Sequence, residues 1–306
     1  MTIDIAVIPV AGHGTRLLPA TKSQPKEMLP VGRKPVVQYV AEELIDAGVR
    51  RLLFVTGARK VSIENHFDED SALIDYLRTS GREDELATLG FNQNPAEYFY
   101  TRQRRQLGLG HAILCARSLV GNQPFVVALG DSILGLNGKS QVVAEMLAEY
   151  DRSRPDLLVA IEEVPQSHVR RYGIIAPGRT EGDRIEIRGL VEKPAVEEAP
   201  SNLAIAGRYI FNPRVFDELA RTPPGRGGEI QLTDAMQRVL EAGGRGVAIR
   251  LPASQRRYDI GNYGSYFKSF VEFAMNDPEY GESLREHVRG LLQGDVNPNS
   301  ADSAEA

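Results

Sequence analysis

The sequence predicts an α/β protein in which short apolar strands alternate with amphipathic helices, giving a sheet wound on both faces in the first half of the chain. Three observations predict it. Apolar, β-branched runs of strand length recur at residues 5–10, 51–56, 125–129 and 157–161. Stretches with apolar side chains at helical spacing fall between them. Strand, helix, strand in that order makes a βαβ unit, which pairs its strands in parallel through a right-handed crossover. With 306 residues the chain has room for one large domain or two smaller ones and for a sizeable core.

The first strand, IAVIPV at 5–10, breaks into Ala11-Gly12-His13-Gly14-Thr15-Arg16. Glycines there allow positive φ and keep Cβ atoms out of a ligand's way. Successive N–H groups in such a turn can form an anion-binding concavity. Arg16, Lys22 and Lys26 add cations within the same segment, so it suits a polyphosphate. It is neither of two familiar phosphate loops. Leu17 occupies the third glycine of the dinucleotide fingerprint, and the Gly-Lys-Ser/Thr of the P-loop is absent. Taken alone, Gly12 and Gly14 would mark only a tight turn.

A helix is expected over 35–48, with Pro35 early, Val36, Val37, Val40, Leu44 and Ile45 on one side and Gly48 as its stop. A strand at 51–56 follows, then helices at 60–67 and 71–89, the second interrupted near Gly81. Further on come a strand at 98–101, a helix at 110–119, and a strand at 125–129 that ends in Gly130-Asp131. A helix at 141–150 and a strand at 157–161 continue the alternation. The second half differs: 174–176, 184–191 and 203–211 read as strands with few helices between, a β-rich layer extending the sheet. Helices at 215–220 and 232–240, a strand at 247–251, and helices at 263–275 and 282–292 follow. Residues 297–306 are small and polar and are expected to be disordered. No internal repeat is found.

A net charge of -5 and a pI near 5.7 give no general attraction to nucleic acid or anionic membrane, so phosphate binding would rest on local cations. Cys115 is the only cysteine, which excludes an intrachain disulfide and fits a reducing cytoplasm. No signal peptide and no membrane-spanning run is expected. His13, His66, His111 and Cys115 lack the spacing of a transition-metal site, and zinc is not expected.

The full run Gly-x-Gly-Thr-Arg, Leu18-Pro19 and Pro25-Lys26-Glu27-Met28-Leu29-Pro30 resembles the signature of the sugar-1-phosphate nucleotidyltransferases, most closely their bacterial uridylyltransferase branch. The runs at 62–67, 201–204 and 228–234 resemble the same branch, and the likeness extends over about 5–275. It implies a Rossmann-like three-layer α/β/α nucleotidyltransferase fold with a mostly parallel mixed sheet and a β-rich sugar-binding extension. It also implies a catalytic domain over 1–276, a C-terminal helix over 277–296 as a candidate oligomer contact, and a homodimer or homotetramer. The implied reaction is Mg²⁺-dependent transfer of a uridylyl group from UTP to glucose 1-phosphate, giving UDP-glucose and pyrophosphate.

The resemblance assigns Arg16 and Lys26 to the triphosphate and leaving group, with Ala11, Gly12, Gly14 and Thr15 around the nucleotide. Gln103, Gly108 and Gly110 would read the base; an amide both donates and accepts, which suits uracil and thymine alike. Gly173, Glu192 and Lys193 would hold the sugar phosphate, with Gly207 and the start of Arg208-Tyr209 near the same pocket. Asp131 and Asp259 would hold the metal. From the residues alone, Asp131 could equally cap a turn, Glu192-Lys193 could be a solvated pair, and Lys22 could be a helper or merely solvated. Gly130 stands where uridylyltransferases often carry Pro and matches the Leu-Gly-Asp of thymidylyltransferases, so use of dTTP is the alternative. A catalytically silent nucleotide-sugar sensor is a second, although Arg16, Lys26, Asp131, Lys193 and Asp259 are all present.

Overall fold

The computed structural model describes residues 3–86 and 95–293. In chain order they form β1 (Ile5–Pro9), β2 (Pro30–Val31), β3 (Lys34–Pro35), α1 (Val36–Asp46), β4 (Arg51–Thr56), α2 (Val61–Phe67), α3 (Ser71–Thr79) and β5 (Glu97–Arg102). Next come α4 (Leu109–Leu114), α5 (Arg117–Val120), β6 (Phe125–Ala128), β7 (Ser132–Leu134), α6 (Val142–Ser153) and β8 (Leu157–Glu163). The remainder is β9 (Gly173–Glu181), β10 (Arg184–Glu192), β11 (Leu203–Phe211), α7 (Val215–Arg221), α8 (Leu232–Glu241), β12 (Gly246–Arg250), β13 (Arg257–Asp259), α9 (Tyr263–Met275) and α10 (Gly281–Gln293).

A nine-stranded mixed sheet of order β5-β4-β1-β6-β11-β8-β12-β10-β9 is the frame. The strands β5, β4, β1 and β6 pair in parallel, as do β8 and β12. Between the two parallel groups lies β11, antiparallel to both β6 and β8. The long β9–β10 hairpin extends the far edge, which is the β-rich extension expected from 174–191. Side chains alternate across the sheet with the period of two that strands impose. Val7, Leu53 and Val127 face one core, with residues of α4, α7 and α8. Their neighbours Ile8, Leu52, Phe54 and Val126 face the other, with residues of α1 and α6. Two apolar faces covered by helices make three layers. Burying each such side chain contributes roughly 1.5–3 kcal/mol, and Phe54 stacks on Phe67 of α2 at 4.9 Å.

Local features of the elements have physical causes. The helical stretch at 71–89 is interrupted near Gly81 as expected, α3 ending at Thr79 because Gly81 takes φ 74° and Arg82 N–H turns back to Leu77 O, a left-handed stop; residues 87–89 lie outside the described residues. The helix at 110–119 is two, α4 and α5, separated by a tightened turn in which Ala116 N–H donates to Ile113 O. The pairs β2–β3 and β7–β13 were not foreseen, since strands of two or three residues carry no readable periodicity. The tail at 297–306 lies outside the described residues. Among those described, no helix is long and apolar enough to cross a membrane.

Candidate active site

Ligands of open α/β sheets gather beyond the carboxyl ends of parallel strands, and β1 ends there in the glycine turn. Only Gly14 uses the freedom its type allows, at φ 68°. Gly12 does not, and a Cβ built on it would meet nothing nearer than Lys26 Cε at 3.8 Å, so its bareness leaves open space. Among the described residues, the N–H groups of Gly12 to Arg16 have no hydrogen-bond partner. Arg16 and Thr15 are exposed, and Ala11 is buried at the base of the turn. Lys22 lies beside Ala11, Gly12 and His13 around a small hollow closed by Lys60.

A single helical turn over Lys26–Met28 sends its first two side chains different ways. Glu27 is buried and paired with buried Lys60 at 2.7 Å, which pins the turn from behind. Lys26 contacts Asp131, which follows β6. Strand β13 lies antiparallel to β7 with Asp259 opposite Ser132, and Ile260 N–H donates to Asp131 O at 3.3 Å. Two carboxylates from distant parts of the chain thereby face each other. Burial alone would raise the Asp131 carboxyl, but the Lys26 ammonium outweighs it and holds the group below its ordinary range. Asp259 is raised by burial and then by repulsion from Asp131, which Arg257 only partly offsets. Lys26 would be lowered by burial, but Asp131 and Glu27 raise it and keep it charged.

This donor set fits a divalent cation. Two hard oxygen ligands repel each other across a partly dry site, and a magnesium ion is commonly held by one or two carboxylates plus phosphate oxygens. Among the described residues no cluster of three or more His, Cys, Asp or Glu could hold a metal by itself.

The pair sits between two cavities. The smaller, about 330 Å³, is lined by Ala11, Gly12, Lys26, Gln103, Gly108 and Asp131. The larger, about 1000 Å³, is lined by Arg16, Tyr172, Lys193, Arg257 and Asp259 among others, and Glu229 lines both. Gln103, expected to donate and accept, is buried with its amide nitrogen already committed to Gly108 O and His111 Nδ1, each at 3.0 Å. Gly108 and Gly110 are required by packing. A Cβ on Gly108 would stand 2.7 Å from Glu229 Cβ, and one on Gly110 2.8 Å from Ile230 O.

Lys193 lines the larger cleft, whereas Glu192 lines a neighbouring hollow with Gln231 and Asp234; Glu192 accepts from Thr233 Oγ1 at 2.6 Å and pairs with Lys193 at 2.7 Å. Lys193 takes φ 47°, a conformation uncommon for a side chain of its kind. A Cβ at Gly173 would press within 2.7 Å of Thr233 Oγ1. Gly207 takes φ 82°, and Arg208 turns away from the cleft, wholly buried against Glu43 at 2.6 Å. The sequence had not singled out Glu27, Lys60, Glu43, Glu229 or Arg257. Arg257 is held by Glu162 at 2.5 Å and covers the Tyr172 ring at 4.3 Å, so that it stands charged beside Asp259. Its place in Arg256-Arg257-Tyr258-Asp259, next to a suspected ligand, was the available signal.

Comparison with known proteins gives a consistent result. The family model described as nucleotidyl transferase matches residues 5–275. The UTP–glucose-1-phosphate uridylyltransferase of Staphylococcus epidermidis is 41% identical over 289 residues, covering 94% of this chain and 98% of that protein. The enzyme of the same name from Bacillus subtilis is 41% identical over 287 residues, covering 94% and 96%. Among solved structures, a UTP-bound UGPase from Acinetobacter baumannii superposes with a TM-score of 0.85 at 36% identity, covering 94% of this chain and 99% of that one. A UDP-glucose pyrophosphorylase complexed with UDP-glucose gives a TM-score of 0.79 at 38% identity, covering 88% and 97%.

Proposed function

Because this chain belongs to the nucleotidyl transferase family, we propose that it transfers the uridylyl group of UTP to glucose 1-phosphate, giving UDP-glucose and pyrophosphate. The observation that carries the reading is the convergence of Lys26, Asp131 and Asp259 where the two cavities meet. The nucleotide would occupy the smaller cavity and the sugar phosphate the larger, so that the α-phosphorus lies between them. Relatives of this name, and solved neighbours bound to UTP and to UDP-glucose, support the choice of substrates.

In this reading an oxygen of the sugar phosphate attacks the α-phosphorus in line, and the bond to the β-phosphate's bridging oxygen breaks to release pyrophosphate. The attacking group's second pKa is about 6, so it is already largely ionised near neutrality and needs no protein base. The difficulty is to bring two anions together, which positioning and fixed cations overcome. Arg16, exposed on the glycine turn, and Lys26 would take the triphosphate and the departing charge. Lys193 would take the sugar phosphate, with Glu192 and the bare backbone of Gly173 against the sugar. Asp131 and Asp259 would hold Mg²⁺, which when bound supplies charge neutralisation at the phosphate oxygens.

The test is pyrophosphate release by the purified protein with glucose 1-phosphate and Mg²⁺, across UTP, dTTP, CTP, ATP and GTP. UTP is expected to be the best donor. Preference for dTTP would transfer the protein to the thymidylyl reaction, and absence of any nucleoside-diphosphate sugar would leave the sensor reading.

A further inference from the structure

A side-chain amide nitrogen carries two hydrogens, and its lone pair is delocalised into the carbonyl, so it only donates, whereas the amide oxygen only accepts. Gln103, at the end of β5, spends that nitrogen on two acceptors, Gly108 O and His111 Nδ1, both at 3.0 Å. Reversing the amide would set its oxygen against the Gly108 carbonyl, acceptor on acceptor. The bond to His111 therefore requires an unprotonated Nδ1, with the ring's one proton on Nε2. Burial, aided by Arg105, holds His111 below the ordinary histidine range and favours that neutral ring. Cys115 Sγ, 3.8 Å from the same nitrogen, is a weak donor at long range. With the nitrogen engaged, what the Gln103 side chain has left to offer the smaller cavity is its amide oxygen, an acceptor.

We propose that His111 is a specificity-determining positioning residue, whose Nδ1 fixes the Gln103 amide so that the base meets an acceptor. The proposal rests on the uridylyltransferase reading and deepens it. Uracil presents N3–H in the middle of its pairing edge and can donate to that oxygen. Cytosine has a bare N3 there, and two acceptors face each other. UTP and CTP are nearly the same size, so this one contact discriminates them by polarity, and a site built to receive an N–H rejects its absence strongly.

The experiment compares kcat/KM for UTP and CTP, with saturating glucose 1-phosphate, in the wild type, His111→Leu and His111→Asn. Direct binding of UTP and CTP is measured by calorimetry on the same proteins. Leucine removes the acceptor, whereas an asparagine Oδ1 can occupy the place of Nδ1. The H111L variant is expected to lose at least tenfold of the UTP-over-CTP preference, mainly through a higher KM for UTP, with the KM for glucose 1-phosphate unchanged. H111N is expected to keep most of the preference. An unchanged ratio in H111L, an equal loss in both variants, or a parallel rise in both substrates' KM values would overturn the proposal. Should the wild type turn over no UTP yet bind it in preference to CTP in a His111-dependent way, the activity fails and this inference stands.

Discussion

Arg208→Met tests whether the buried Arg208–Glu43 pair is a structural tie beneath the carboxylate site. Arg208 is wholly buried and Glu43 4% exposed. The guanidinium donates twice to Glu43 Oε2, at 2.9 and 2.6 Å, and also to Ser132 O at 3.0 Å and Gly207 O at 3.1 Å. It thus links α1, β7 and β11, and Ser132, the first residue of β7, directly follows Asp131. Methionine leaves Glu43 with Ser140 Oγ at 2.9 Å on its other oxygen and no cation. Stranding one partner of a buried pair costs about 3–5 kcal/mol, a large share of the roughly 5–15 kcal/mol that holds a domain together. Replacing both partners is far milder, so Glu43→Leu with Arg208→Met should recover most of the loss. A deficit of about 1 kcal/mol should persist because Ser132 O loses the guanidinium, whereas Gly207 O keeps the Leu129 N–H at 3.0 Å. The chain has no tryptophan, so urea unfolding is followed by far-ultraviolet circular dichroism. A single variant within about 1 kcal/mol of wild type, or a double variant no better than the single, would refute the reasoning.

Asp131→Asn should lower kcat on the order of 100-fold and raise the Mg²⁺ concentration for half-maximal rate, with the far-ultraviolet spectrum unchanged; a normal rate removes Asp131 from the metal site. Lys193→Ala should raise the KM for glucose 1-phosphate at least about tenfold, the worth of one charged hydrogen bond, and leave that for UTP alone; an equal rise in both would make it a structural residue. Gly12→Ala should fold normally and bind UTP more weakly, because its Cβ enters open space, whereas Gly110→Ala should lower the melting temperature, because its Cβ meets Ile230 O at 2.8 Å. Burial holds His66 below its ordinary pKa of 6.5, Glu42 opposing only in part, so the fold prefers the neutral ring. Its stability is full above that value and falls as pH drops below it, and His66→Asn should flatten the decline in melting temperature measured between pH 7 and 5.

The elements legible in the sequence are those whose side chains all answer to one surface. Strand β4 was readable to the residue because Leu52, Leu53, Phe54 and Val55 are all buried between two helical layers. Helix α9 was readable at both ends, with Asn262 capping Ser265 N–H at 3.1 Å. By contrast, β7 and β13 are three residues each and exist only because each supplies the other's hydrogen bonds across a long separation in sequence. Nothing local announces such a pair. The residues that depend on it, Asp131 and Asp259, could be named only through a family likeness.

The same distinction separates two kinds of glycine that look alike on the page. The run Gly108-Leu109-Gly110 and the run beginning Gly228-Glu229-Ile230 read as independent motifs, yet they form one backbone contact. Gly110 N–H donates to Ile230 O at 2.9 Å, and Ile230 N–H donates to Leu107 O at 2.8 Å. Glycine is demanded there because protein backbone, not ligand, comes within Cβ distance. Glu229 consequently stands where both cavities share a wall. The geometry of the base pocket is thereby tied to the helix α8 that follows, whose Thr233 donates to Glu192, the partner of Lys193 in the larger cleft. A change in either cleft that displaced the 229–233 segment would be felt in the other, a coupling that neither motif discloses when read alone.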